Sequence, residues 1–276
     1  MRADLHIHST FSDGLCSPDE LCALAKANGV ELLSITDHDT MNGADIKLQS
    51  AKKYGLRYVH GWEISSYQDG EQIHVLGYGC QQNTAYLDFM EKRKEMAWLR
   101  AQERVDKLRA LGVPITMEQV TSFRQDPAAP IHTMHVARAA AVLMGIRDSQ
   151  VYVEYLARGK AAYSEIGRPT PQEAIACIHA CGGLAVMAHP GRIRGSAAEQ
   201  EKWLENLVGY GVDGIEAVYT THTEKETEMF KALAKKHRLF ISGGSDTHIQ
   251  DETHTIGQPA FFADEKFLEK FSSIIL

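Results

Sequence analysis

Short apolar runs of four to eight residues alternate along the chain with stretches whose apolar residues recur every three or four positions. In DLHIHSTFSD (4–13), Leu5 and Ile7 alternate with His6 and His8. A strand over 2–8 sends the two aliphatic side chains to one face and the two imidazoles to the other. Ser17-Pro18-Asp19-Glu20 reads as an N-cap, a first-turn proline and a capping-box glutamate, and predicts a helix from about 18 to 28. VELLSIT (30–36), LRYVHGWEIS (56–65), QIHVLGYG (72–79), GLAVMAH (183–189), GIEAVY (214–219) and LFISGGSD (239–246) read as further strands, with a helix near 42–54. Strand, helix, strand repeated in this way predicts an α/β fold, a mostly parallel sheet with helical crossovers. About seven repeats suit a barrel better than an open sheet.

Between about 83 and 168 the strand pattern stops. Leu87, Met90, Ala97, Ala101, Val105 and Leu108 fall at spacings of three, four or seven, as one face of a long helix does. Gly112-Val113-Pro114 ends that helix, Pro127 and Pro130 break the next stretch, and IHTMHVARAAAVLMG (131–145) is helical again. The expected organisation is a barrel formed by 1–82 and 169–276, interrupted by an all-helical insertion over 83–168 that serves as a cap.

Composition narrows the class. The 276 residues are 44% hydrophobic and 24% charged, ordinary for a globular enzyme, and a net charge of −7 gives no broad basic field for long duplex nucleic acid. An anionic substrate must then be held locally. No apolar run approaches a membrane span and no signal-peptide core opens the chain, so a soluble, cytoplasmic protein is expected. Cys177 and Cys181 stand at i, i+4 without a second thiol pair for zinc, and the five cysteines are expected to be reduced.

Metal-ligand residue types cluster where strands end: His6, His8 and Asp13; Asp37-His38-Asp39; Glu63; His74; His189; Asp246 and His248. Each alone has an ordinary explanation, as a helix cap, a half-buried histidine or a solvated carboxylate. Those explanations must succeed at six strand ends together, whereas a barrel gathers its strand ends into one pocket.

These segments, DLHIHSTFSD, ITDHDT, GWEIS, IHVLGY, AHPGR and GGSDTH, resemble in that order the motifs of the polymerase and histidinol phosphatase (PHP) family of metal-dependent phosphoesterases. YLARGKAAY (155–163) and VYTTHTEKE (218–226) are similar to the subgroup that hydrolyses nucleoside 3′,5′-bisphosphates, some members of which trim short 5′-phosphorylated RNA. The resemblance implies a distorted seven-stranded (β/α)7 barrel with two to three divalent ions at its carboxyl end. It implies His6, His8, Glu63 and Asp246 around the first ion, Asp13, His38 and His248 around the second, and Glu63, His74 and His189 around the third. Asp13 stands where several members have histidine, an oxygen for a nitrogen, which favours manganese, or iron, over zinc there. Asp37 and Asp39 are assigned to orienting ligand imidazoles from behind. Because a phosphate monoester repels hydroxide, the expected nucleophile is metal-bound hydroxide and not a side chain.

Arg138 and His135 in the insertion, Lys160 in ARGKAAY, Arg192 and Arg194 in HPGRIRG, and His222 in YTTHTE are the expected substrate contacts. Thr133-Met134-His135 replaces the Arg-Pro-His of the subgroup, so one arginine of that segment is absent. A charge-assisted contact from Arg138 to the non-reacting phosphate is worth on the order of 1.5–3 kcal/mol. The expected partner is a small nucleotide or very short RNA. Alternatives are a phosphatase for another small metabolite such as histidinol phosphate, and a non-catalytic metal-stabilised module. The complete ligand set disfavours the last.

Overall fold

The computed structural model describes residues 1–124, 131–248 and 255–276. Pro127 and Pro130, expected helix breakers, lie outside the described residues. The chain divides into two compact units, Met1–Tyr86 with Pro169–Leu276, and Leu87–Arg168.

In the first unit, β1 (Arg2–Ile7), α1 (Pro18–Ala27), β2 (Leu32–Ile35), α2 (Ala44–Lys53) and β3 (Arg57–Tyr58) follow one another, then β4 (Gly61–Gln68) and β5 (Glu71–Tyr78). The N-terminus of α1 carries the expected reciprocal cap: Ser17 accepts from the Glu20 N–H, and the Glu20 carboxylate accepts from Ser17. Apolar side chains of β1, β2 and α1, among them Ile7, Leu33, Ile35, Leu21 and Ala25, pack into one cluster, which fixes the β1 face that carries the histidines.

The second unit is helical. It holds most of α3 (Thr84–Ala110), then α4 (Met117–Thr121), α5 (Thr133–Met144), α6 (Asp148–Val151) and a π-helical turn over Tyr152–Leu156. Ala101, Val105 and Leu108 pack with Val136, Ala137, Ala140, Val151 and Leu156 in its core. Leu87, expected on the same buried face, is 60% exposed, because the core begins further along α3 at Ala101.

The chain then returns to the first unit through α7 (Pro171–Ala180), β6 (Leu184–Met187), a 3-10 turn at Pro190–Arg192, α8 (Ala197–Gly209), β7 (Gly214–Tyr219), α9 (Glu224–His237), β8 (Phe240–Gly244), β9 (Phe261–Phe262) and α10 (Glu265–Lys270). Its strands form two sheets, ordered β3-β2-β1-β9 and β4-β5-β6-β7-β8. The mixed α/β class agrees with expectation, but a closed seven-stranded barrel is not what the hydrogen bonds draw. Among the described residues the two open sheets are joined by isolated bridges, Ile7 with Thr247 and His38 with Glu63, and not by a continuous ladder. Short edge strands are the physical reason, since β3 and β9, which border the four-stranded sheet, have two residues each and leave little ladder for a seam.

Nor is the larger sheet mostly parallel, because β5 runs antiparallel to both of its neighbours, β4 and β6. Asp69 and Gly70, with φ of 49° and 74°, make the two-residue turn that folds β5 back on β4. Among the described residues, no helix is long and apolar enough to cross a membrane.

Candidate metal centre

All nine expected ligands are brought together in the first unit. His6 and His8 project from the same face of β1 and its end, both fully buried, while Glu63 lies at the start of β4 with no exposure. Asp246 and His248 follow β8, and His189 follows β6. Gly244 lets β8 pass against His6, for a Cβ there meets the His6 backbone and Cβ.

The polar atoms converge without making ordinary hydrogen bonds. His6 Nε2 lies 3.2 Å from Glu63 Oε2 and 3.3 Å from Asp246 Oδ1. His8 Nε2 lies 3.3 Å and 3.0 Å from the same two oxygens, and His38 Nδ1 lies 2.9 Å from Glu63 Oε2. Yet all five of these atoms are buried with no hydrogen-bond partner of acceptable geometry. Five orphaned donors and acceptors packed together are very unfavourable unless something fills the space between them.

Three ligand groups can be drawn within 4.8 Å: His6, His8, Glu63 and Asp246; His8, Asp13, His38 and His248; and His38, Glu63 and His74. The first two contain the sets implied by the family resemblance, with His8 shared. The third takes His38 where His189 was expected, although His189 Nε2 and His74 Nδ1 both approach Glu63 Oε1, at 3.0 Å and 2.8 Å.

The carboxylates suit cation binding, while against the effect of burial they also raise His6, and His38 to about 9, so these two imidazoles must release a proton when an ion binds. Burial opposes ionisation of Glu63 and Asp246, but neighbouring histidines outweigh it and hold both carboxyls well below the usual range. Burial pushes His8 down to about 4, so its imidazole is neutral at pH 7. Asp13, more exposed, is also held down by His248 and His38 against its partial desolvation.

The backbone is strained where it delivers these groups. Asp39, His189 and Asp246 have φ of 56°, 27° and 53°. Such conformations cost on the order of 1–3 kcal/mol each and persist where surrounding contacts impose them. For His189 the contact is a 2.7 Å hydrogen bond from its N–H to Glu216 Oε2.

Glu216 is the residue that sequence reasoning missed. Fully buried on β7, it also accepts from His6 Nδ1–H at 3.0 Å, which leaves the Nε2 lone pair facing the cluster. The signal was a lone acid inside the apolar strand GIEAVY, where a charge is tolerated only with dedicated partners. Tyr219 on the same strand donates to Asp246 Oδ2 at 2.8 Å.

Asp37, expected to orient an imidazole, instead accepts from the Ser9 N–H and hydroxyl and from the Ser12 hydroxyl, each at 2.7 Å, and pairs with buried Lys47. It thereby pins the loop that carries His8 and Asp13. Asp39 accepts from the Ser65 N–H at 2.8 Å.

Of the expected substrate contacts, Arg192 Nη1 lies 3.2 Å from Asp246 Oδ2 and 3.3 Å from Tyr219 Oη, at the edge of the centre. His222 commits both ring nitrogens to backbone: Nδ1–H donates to the Ala217 carbonyl and Nε2 accepts from the Gly191 N–H, each at 3.0 Å. It braces the loop after His189 and has no nitrogen left for substrate. Arg194 is exposed. Arg138, His135 and Lys160 belong to the second unit. There Arg138 is exposed with Nε 3.6 Å from Asp148, His135 Nδ1 accepts from the His132 N–H, and Lys160 is exposed.

The profile of the PHP domain matches residues 4–116. A 5′-3′ exoribonuclease of Haemophilus influenzae is 33% identical over 249 residues, 90% of each chain. A 3′,5′-nucleoside bisphosphate phosphatase of Chromobacterium violaceum is 29% identical, over 90% of this chain and 88% of that one. Among solved structures, an amidohydrolase from Chromobacterium violaceum with bound sulfate and no metal superposes with a TM-score of 0.77 at 26% identity, covering 100% of this chain and 98% of that one. The chain belongs to the PHP family of metal-dependent phosphoesterases.

The residues present fit the divalent ions that this family implies. Nitrogen and carboxylate oxygen are suitable ligands, and atoms 2.9–3.3 Å apart that are buried without an acceptable hydrogen-bond geometry are placed as groups that share an ion.

Proposed function

We propose that the protein hydrolyses a phosphate monoester of a small nucleotide, most directly the 3′-phosphate of nucleoside 3′,5′-bisphosphates, with trimming of short 5′-phosphorylated RNA as a second activity. The observation that carries this reading is the convergence of His6, His8, His38, Glu63 and Asp246 on a space that none of them fills by hydrogen bonding.

His6, His8, Glu63 and Asp246 would hold one ion, Asp13, His38 and His248 a second, and Glu63, His74 and His189 a third. Manganese suits this mixture of nitrogen and oxygen better than magnesium does. When bound, such ions neutralise phosphate charge and lower the pKa of water. The chain supplies the rest. Glu216 fixes the ring of His6 and the strained backbone of His189. Tyr219 holds Asp246, and Arg192 presents an exposed guanidinium beside it for a phosphoryl oxygen.

Recognition of the nucleotide we assign to the helical unit, with His135, Arg138 and Lys160 as its contacts. The two relatives act, by name, on RNA and on nucleoside bisphosphates, which supports a nucleotide over histidinol phosphate. A panel assay with manganese separates the readings, comparing adenosine 3′,5′-bisphosphate, AMP, histidinol phosphate and a 5′-phosphorylated trinucleotide. The bisphosphate is expected to give the highest kcat/KM. Preference for histidinol phosphate refutes the proposal.

A further inference from the structure

Among the described residues of the helical unit, Arg104 is the one buried charged side chain, 2% exposed. A guanidinium removed from water is strongly unfavourable unless an anion offsets it. Glu103 on the same helix lies near enough to interact with Arg104 electrostatically, but no carboxylate of the described residues forms an ion pair with it. Its Nη1 donates to the hydroxyl of Thr133, in the first turn of α5, while its Nε is buried with no hydrogen-bond partner. Its neighbour Glu103 pairs with Lys107 at 3.0 Å.

Glu103 apart, the charged groups that act on Arg104 most strongly are other cations. Arg100 donates to the Ile166 carbonyl at 2.9 Å, Lys107 to the Tyr163 carbonyl at 2.6 Å, and Arg168 lies over the Tyr163 ring at 5.5 Å. These cations therefore gather on one short segment, 163–168, beside α3. Burial, and then repulsion from Arg100 and Arg168, pulls Arg104 down to about 10, which leaves it charged at neutral pH. The fold concentrates cations that repel one another and buries the central one. That arrangement suits the binding of an anion.

We propose that Arg104, with Arg100, Arg168 and the Thr133 hydroxyl, forms a binding site in the helical unit for a phosphate-type oxyanion. A guanidinium offers two parallel donors to such an anion, and a hydroxyl offers a third. The site differs from Arg138, whose exposed side chain already faces Asp148. Two sources share this chemistry. One is the non-reacting phosphate of the substrate, an assignment that rests on the function proposed above, and the other is free inorganic phosphate.

Inorganic phosphate is titrated into the full chain stripped of metal, at constant ionic strength against chloride, and followed by calorimetry and thermal midpoint. The wild-type chain is expected to bind phosphate and to melt higher in its presence. Arg104→Met is expected to lose roughly tenfold or more in phosphate affinity while melting no lower than wild type in chloride, because it removes an uncompensated charge. No phosphate effect on the wild-type chain overturns the site, whether or not the variant folds. So does a variant that melts lower yet keeps the wild-type phosphate response, since the guanidinium then serves only the fold. Kinetics of the metal-loaded enzyme read the source. A loss roughly tenfold greater for adenosine 3′,5′-bisphosphate than for p-nitrophenyl phosphate assigns the site to the substrate's second phosphate. Equal change on both substrates, with phosphate binding lost, assigns it to free phosphate. A wild-type enzyme that ignores the bisphosphate counts against the proposed function and leaves the phosphate titration standing.

Discussion

The two units bury polarity in opposite ways. The first buries His6, His8, Asp37, Glu63, Glu216 and Asp246 together, whereas the described part of the second buries only Arg104 and Ser164 among polar and charged residues, inside a core of alanine, valine and leucine. In the first unit several imidazoles are oriented by rigid partners. Glu216 serves His6, the Asp246 carbonyl accepts from His248 Nδ1–H at 2.9 Å, and strand ends set the backbone. In the second, the cations Arg138 and Lys160 are exposed and loosely held. Preorganisation belongs to chemistry, where donor positions must be fixed within tenths of an ångström, and adaptable charge belongs to recognition.

The largest expected effect removes what the first unit is organised around. Chelation abolishes phosphatase activity, and added manganese restores it better than magnesium. Full activity in the chelated protein erases the contrast between the units. Next comes Glu216→Gln. One side of an amide is a donor and the amide is uncharged, so the variant loses either the 3.0 Å acceptor at Oε1 for His6 or the Oε2 acceptor shared with the His189 N–H, and in both cases the negative charge that faces His6. Metal affinity, measured by competition with a chromophoric chelator, is expected to fall about 10- to 100-fold. Unchanged affinity would mean that β7 supports only the fold.

The smallest effect belongs to the second unit. Arg138 is more than half exposed and already shared with Asp148, which lowers the contribution expected from its sequence alone. Arg138→Ala should reduce kcat/KM for the bisphosphate by about 1 kcal/mol, roughly fivefold, and that for p-nitrophenyl phosphate by less. Steady-state kinetics on the two substrates check this. Equal losses on both detach Arg138 from recognition.

How much of this was legible in the sequence depended on whether the signal was local. His6 and His8 announce a shared face by their i, i+2 spacing, and Asp37-His38-Asp39 follows an apolar run directly. Such strand-end residues can be read without knowing what they meet. Asp69-Gly70 is an equally local signal for the antiparallel hairpin, outweighed by the strand-helix alternation around it. Glu216 and Arg104 could not be assigned in this way. A glutamate in GIEAVY and an arginine in LRAQERVDKLRA read as ordinary charges until tertiary packing buries them. His222 illustrates the converse error, since its motif suggested substrate and its backbone partners appear only in three dimensions. The seams between the sheets were hidden too, because the length of the edge strands, here two residues in β3 and β9, decides whether a ladder closes.

The central claim is that Glu63 joins the ligand groups into one centre, Oε2 facing His6, His8 and His38 and Oε1 facing His74 and His189. Metal content per chain, measured by elemental analysis after loading with manganese and desalting, tests it most directly in wild type, Glu63→Gln and His74→Ala. The account predicts two to three ions in wild type, loss at two positions together in Glu63→Gln, and loss chiefly at one in His74→Ala. A wild-type chain that retains no metal, or equal losses in the two variants, would contradict it.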